Sequence, residues 1–141
     1  MTPLARCALV VFALTGCGGA APRPVVVSAQ GFSFTPATIE LQRDQPAKLT
    51  FRNVDPVLEH DFQIDRFPSK SAAGSHEHQN GATDSSAATP PADTLHLHAA
   101  AGESVAVTIT PLRAGTYTAY CTIPGHKDLG MVATVVVRGG A

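Results

Sequence analysis

Charge is sparse in this chain and never gathered: 10 Lys+Arg and 11 Asp+Glu among 141 residues leave a formal -1. Without a Lys/Arg run, neither nucleic acid nor an anionic membrane surface has an electrostatic footprint to bind. Long apolar runs are missing too. The stretch from Cys7 to Leu14 is too short to cross a bilayer as a helix. No convincing helical period appears, which argues against a helical bundle. Cysteine is limited to Cys7, Cys17 and Cys121, too few for a disulfide framework once the N-terminus is considered. What is present is 44% hydrophobic residues, enough for one core in a single domain.

Met1 to Cys17 begins with a positive residue, Arg6, continues through the apolar run and ends in small residues, the layout of a secretory signal peptide. Its end, Leu14-Thr-Gly-Cys17, resembles the lipobox of bacterial lipoproteins. That resemblance implies a signal over residues 1–16, cleavage before Cys17 and lipid attachment to its thiol. Loss of Arg6 takes Lys+Arg from 10 to 9 against 11 Asp+Glu, a formal -2. Cys7 departs with the signal and Cys17 is alkylated, so Cys121 remains as the free thiol. Residues 17–24, rich in Gly, Ala and Pro, read as a tether. The expected location is the extracytoplasmic side of a bacterial membrane, in the periplasm or at the cell surface.

The body, residues 25–138, predicts about eight strands: Val25 to Ala29, Thr38 to Leu41, Ala47 to Asn53, His60 to Asp65, Thr94 to Ala99, Ser104 to Thr110, Gly115 to Cys121 and Met131 to Val137. Short β-rich runs punctuated by Gly, Pro and Asp predict an all-β, Greek-key β-sandwich. Residues 67–91 break that rhythm, being rich in Ser, Ala, Gly, Thr and Pro, and read as an exposed insertion. The segment holds His76 and His78, and His96 and His98 follow on the next strand. Alternate His residues share a strand face. They form either an auxiliary copper-capture site or a solvated loop with two outward imidazoles.

The chain is organised around Tyr120 to Met131, which places a thiol, an imidazole and a thioether, Cys121, His126 and Met131, within eleven residues. Soft sulfur with imidazole suits copper, and two His with one Cys plus a long axial Met is the donor set of electron-transfer blue-copper sites. The second imidazole is expected from His60, on an alternating strand with Phe62 and Ile64.

This stretch, with Thr122, Pro124, Gly125 and Gly130, resembles the metal loop of the cupredoxins, the family of plastocyanin, azurin, rusticyanin and auracyanin. The spacing of Cys, four residues, His, four residues and Met is similar to the rusticyanin and auracyanin branch. The resemblance implies one copper ion held by His60, Cys121, His126 and Met131, and a one-electron carrier rather than an enzyme. A copper-sequestering or copper-delivery protein that uses the His-rich insertion is the alternative. A lone thiol also speaks against a dinuclear centre, which in related domains needs two bridging thiolates.

In relatives an Asn commonly follows the first His; here that position is Asp61. It either accepts a hydrogen bond from Thr122, bracing the two ligand segments, or faces solvent. Asn53 either bridges toward the ligand loops or only shapes a turn. Pro124 lacks an N–H and stiffens the loop. His126, in a loop, is expected nearer solvent than His60. Around it Val57, Leu58, Ile123, Pro124 and Leu129 either form an apolar surface for transient docking of redox proteins or cap the core. Tyr120, on the strand face opposite Cys121, is a candidate second electron exit or a structural aromatic. A monomer is expected.

Overall fold

The computed structural model describes residues 21–71, 77–78 and 93–140. Among these residues the secondary structure is entirely β, in eleven strands. They are β1 (Arg23–Gln30), β2 (Ser33–Thr35), β3 (Thr38–Gln42), β4 (Ala47–Asn53), β5 (His60–Ile64) and β6 (Ser69–Ser71). After them come β7 (Glu77–His78), β8 (Leu95–Ala99), β9 (Ser104–Pro111), β10 (Gly115–Tyr120) and β11 (Val132–Arg138).

One sheet runs β2-β1-β4-β9-β6, with β7 also paired to β9, and the other runs β3-β11-β10-β5-β8. β1 lies parallel to β4 and β3 parallel to β11; the remaining pairs are antiparallel. Alternation decides which face of each strand is buried. Leu49 and Phe51 of β4, Leu95 and Leu97 of β8, and Val135 and Val137 of β11 point inward, with more exposed residues between them. The inner faces meet in an all-β sandwich.

Phe34, Phe51 and Phe62 form the aromatic centre, with ring centroids 5.3 to 6.2 Å apart. All three are buried, and truncating one to Ala would cost about 3–5 kcal/mol.

The eight expected strands are all found, with ends moved by at most two residues. β1 starts at Arg23, so Arg23 and Pro24 of the expected tether belong to the sheet. β2, β6 and β7 were not expected. β2 is three residues long with one buried side chain, Phe34, too short to show a period. β6, at the polar Ser69–Ser71, and β7 fall within the span read as an insertion. They are added to β9 by backbone pairing, which needs no apolar alternation.

Phe67 also departs from the insertion reading. It is buried in the core, packs edge-on to Tyr117 at 5.0 Å, and its N–H donates to the Asp93 carbonyl at 2.7 Å. The span read as insertion therefore includes core-packed chain at its start. The signal, Cys17 and the side chains of His76 and His78 lie outside the described residues.

Candidate metal centre

His60, Cys121 and His126 come together at one end of the sandwich, all three buried, with one donor atom of each within 4.8 Å of the others. Different elements deliver them. His60 opens β5, where strand alternation turns it inward with Phe62 and Ile64. Cys121 follows β10, and His126 lies in the loop that returns the chain to β11.

That loop is a set of tight turns. The N–H of His126 donates to the Ile123 carbonyl, that of Leu129 to Gly125 and that of Gly130 to Lys127. Gly125 and Gly130 have φ of 84° and 95°, backbone that side chains with a Cβ adopt only under strain. The loop closes on itself: the Cys121 N–H donates to the Met131 carbonyl at 3.2 Å and the Met131 N–H to the His126 carbonyl at 3.0 Å. Met131 is fully buried there.

The donor set is open to a metal. His60 is fully buried, yet neither ring nitrogen has a hydrogen-bond partner, and buried polar atoms are nearly always paired. Asp55 Oδ2 stands 3.8 Å from His60 Nε2, beyond hydrogen-bond reach. Burial, with the His126 charge second, lowers the His60 pKa below the usual imidazole value, against the pull of Asp55. The ring is therefore neutral, as a ligand must be.

Cys121 Sγ lies 3.4 Å from His126 Nδ1 and accepts the Asp61 N–H at 3.3 Å. Burial raises the thiol's pKa, opposed by the backbone N–H groups of Asp61 and Ile123. Without a cation the sulfur keeps its proton, whereas a coordinated metal deprotonates a thiol outright. Two imidazoles and a thiolate suit copper.

Asp61 is buried, not solvent-facing, and its side chain accepts the Thr122 hydroxyl proton, joining the His60 strand to the Cys121 loop. Burial raises its pKa, but His96, Thr122 and His98 outweigh that and hold it at about 2. His96 and His98 thus stand beside Asp61, half-exposed, with His98 Nδ1 2.7 Å and His96 Nε2 3.5 Å from its oxygens.

Asn53 is also a bridge. Its amide donates to the carbonyls of Leu58, Ala99 and Ala100 at 2.7, 3.0 and 3.0 Å, and its oxygen accepts the Asp55 N–H at 3.0 Å. These bonds tie β4 to the segment that leads into His60.

Asp55 was not singled out from the sequence. It accepts the N–H groups of Leu58, Val57 and Gly31, which hold its carboxyl at about 2. Asn53-Val-Asp-Pro56 was the available signal, since Asx side chains before Pro shape turns by bonding nearby N–H groups. Phe32 was missed as well. It packs edge-on to the His126 ring at 5.1 Å, from a turn with no sequence mark of its role.

His126 is 8% exposed and His60 0%, the expected order. Around His126, Val57 and Leu129 are 80% and 62% exposed, with Phe32 and Leu58 also at the surface. Val57, Leu58, Glu59, Ala100, Ala101, Ile123 and His126 line an open depression, apolar but for Glu59 and the imidazole. Tyr120 faces outward. Its hydroxyl donates to Asp65 at 2.7 Å, and Lys127 Nζ sits 4.2 Å from its ring centroid.

Comparison with known proteins agrees with this geometry. The family of copper binding proteins of the plastocyanin/azurin type matches residues 23–138. The copper-resistant cuproprotein CopI of Rubrivivax gelatinosus is 32% identical over 113 residues, or 80% of this chain, which spans 64% of that relative's length. Among solved structures, auracyanin from Roseiflexus castenholzii superposes with a TM-score of 0.64 at 18% identity, over 84% of this chain and 99% of that one. Auracyanin B gives 0.62 at 24% identity, over 88% and 95%. A multicopper oxidase from Pediococcus acidilactici gives 0.59 at 16% identity, over 93% of this chain but 29% of the oxidase. These structural likenesses establish a common fold. With a matching family over nearly all of the sandwich and a buried His-Cys-His cluster, the chain belongs to the plastocyanin/azurin family of copper-binding proteins.

Proposed function

We propose that the chain is a type 1 copper protein that carries one electron at a time between extracytoplasmic or membrane redox partners, held to the membrane by a lipid on Cys17. The observation that carries this reading is the enclosure of the site. His60, Cys121 and Met131 are almost wholly buried, and His126 is 8% exposed. A catalytic metal keeps an open position for substrate, and these residues offer no such opening, so the chain is read as a carrier and not an enzyme. Copper, when bound, supplies a one-electron couple.

The protein's own part is to hold its donors still. His60 is locked in β5, the Cys121 sulfur receives two backbone N–H groups, and the loop to Met131 is pinned by its turns. Met131 would be a fourth, weaker donor, one that adjusts the potential more than it secures the metal. The His126 edge, ringed by Val57, Leu58, Leu129 and Phe32, is the proposed docking surface, of the small apolar kind that short-lived redox encounters use.

The similarity to a copper-resistant cuproprotein favours a second reading, in which the chain binds copper in order to sequester or deliver it. Copper titration of the domain lacking residues 1–17 tests the first. One equivalent producing an intense thiolate-to-copper band and a narrow hyperfine splitting is expected. Several equivalents bound without that band would overturn it. Replacing residues 72–92 by a short Gly/Ser linker, which spares Phe67 and β6, separates the two readings. An electron carrier keeps its spectrum and stoichiometry, while a copper handler that uses the insertion loses much of its bound metal.

A further inference from the structure

His96 and His98 belong to neither the metal cluster nor the docking surface, yet they do not point idly into solvent. Among the described residues β8 is the edge strand beside β5, and its register sets His98 directly opposite Asp61 and His96 opposite Gln63. Directly opposed side chains on one face are close enough to bond. Both imidazoles address the same buried carboxylate: His98 Nδ1 at 2.7 Å from Oδ1, and His96 Nε2 at 3.5 Å from Oδ2.

Asp61 has two further links. Its Oδ2 accepts the Thr122 hydroxyl and its backbone N–H donates to Cys121 Sγ at 3.3 Å. A carboxylate that is 4% exposed needs donors on both oxygens. Oδ2 has Thr122, while the donor on Oδ1 is His98.

From this we propose that His98, assisted by His96, is a positioning residue of the copper centre, acting through Asp61 on the Cys121 sulfur. The role requires the His98 proton on Nδ1, the nitrogen that faces Asp61. Without that donor Oδ1 is left buried and unpaired, and the carboxylate swings toward water. The swing withdraws Oδ2 from Thr122, the residue that starts the metal loop, and loosens the N–H contact on the sulfur. The edge strand thereby sets the stiffness of the thiolate end of the site, while neither imidazole belongs to the His60–Cys121–His126 cluster. Partners one layer beyond the ligands are known to tune metal sites in this way.

This inference rests on the copper-site reading above, and two readouts keep the two apart. H98F keeps a ring without a donor, and H98Q keeps an N–H that can reach Asp61. The first readout is the thiolate-to-copper band and hyperfine splitting of the copper-loaded protein. The second is the alkylation rate of Cys121 by iodoacetamide in the metal-free domain lacking residues 1–17. H98F is expected to bind one copper with a shifted band and altered splitting, and to be alkylated several-fold faster when metal-free. H98Q is expected to restore both toward the parent.

Should H98F fail to fold, H98A, which also lacks a donor at this half-exposed position, is read in the same way. A parent-like spectrum and alkylation rate in the Phe or Ala variant would overturn the proposal, as would equal shifts in the donor-less and Gln variants. If the parent itself lacks the thiolate band, the functional reading fails, and the alkylation rates of the metal-free variants still decide the role of His98.

Discussion

The backbone N–H of Asp61 donates to the sulfur of Cys121 at 3.3 Å across 60 residues of sequence. This contact joins the first residue after one ligand to the side chain of another. It couples the position of β5 directly to the donor strength of the thiolate. Cys121→Ser removes that sulfur and should abolish the intense visible band. Copper affinity should drop by more than about 100-fold, since removing a partner one layer further out costs about 10–100-fold. A visible and calorimetric copper titration checks both.

Acid should weaken the metal-free fold through two carboxylates. Asp55 and Asp61 each fall from 3.8 to about 2 on folding. A depressed folded pKa means the unfolded chain binds more protons between those values, so stability is full above the unfolded value and is lost as the pH falls toward the folded one. Thermal unfolding at intervals from pH 5 to pH 2 should show a falling midpoint in that window, with a shallower fall in Asp55→Asn.

His60 should titrate below the usual imidazole midpoint in the metal-free protein, because burial disfavours its charged form. The unfolded chain takes up the proton first as the pH is lowered, so this group too removes stability below the ordinary imidazole value of 6.5. Imidazole resonances followed by nuclear magnetic resonance give the midpoint. A value at or above 6.5 would contradict the structure.

Asn53→Ala should cost about 2–3 kcal/mol, since it strips the Leu58 carbonyl and the Asp55 N–H of buried partners. Urea unfolding of the metal-free domain measures this loss. The copper spectrum should broaden as well, because the segment before His60 loses its tie to β4.

The apolar surface is tested by electron self-exchange between oxidised and reduced copies, which needs no other partner. Val57→Glu together with Leu129→Glu should leave the visible spectrum unchanged and slow self-exchange about tenfold or more, as like charges meet across the contact. Line broadening in mixtures of the two forms reads the rate. A parent-like rate would move the docking surface elsewhere.

Much of this protein was legible in its chain. Cys121, His126 and Met131 are close in sequence, so their donor chemistry survives any fold that keeps the loop intact. The alternation of His60, Phe62 and Ile64 states which way the first imidazole faces once it lies in a strand. β2 and β6 left no such mark, because three-residue strands are too short for a period, and β6 is held by backbone pairing to β9. Phe67 was hidden by the polar company that follows it.

The β-sandwich class and the copper-suited trio of His60, Cys121 and His126 could be read from the chain, since both depend on residue type and local spacing. Which side chains meet was left to the fold. The pairing of β5 with β8 turned two imidazoles of open role into partners of Asp61. The turn at Asp55 gathered three N–H groups beside His60, and the β1–β2 turn laid Phe32 against His126. The Asp61–His98, Asp55–Gly31 and Phe32–His126 contacts join residues far apart along the chain, and they form only once the strands are paired in the register that hydrophobic pattern and turn geometry fix together across the sheet.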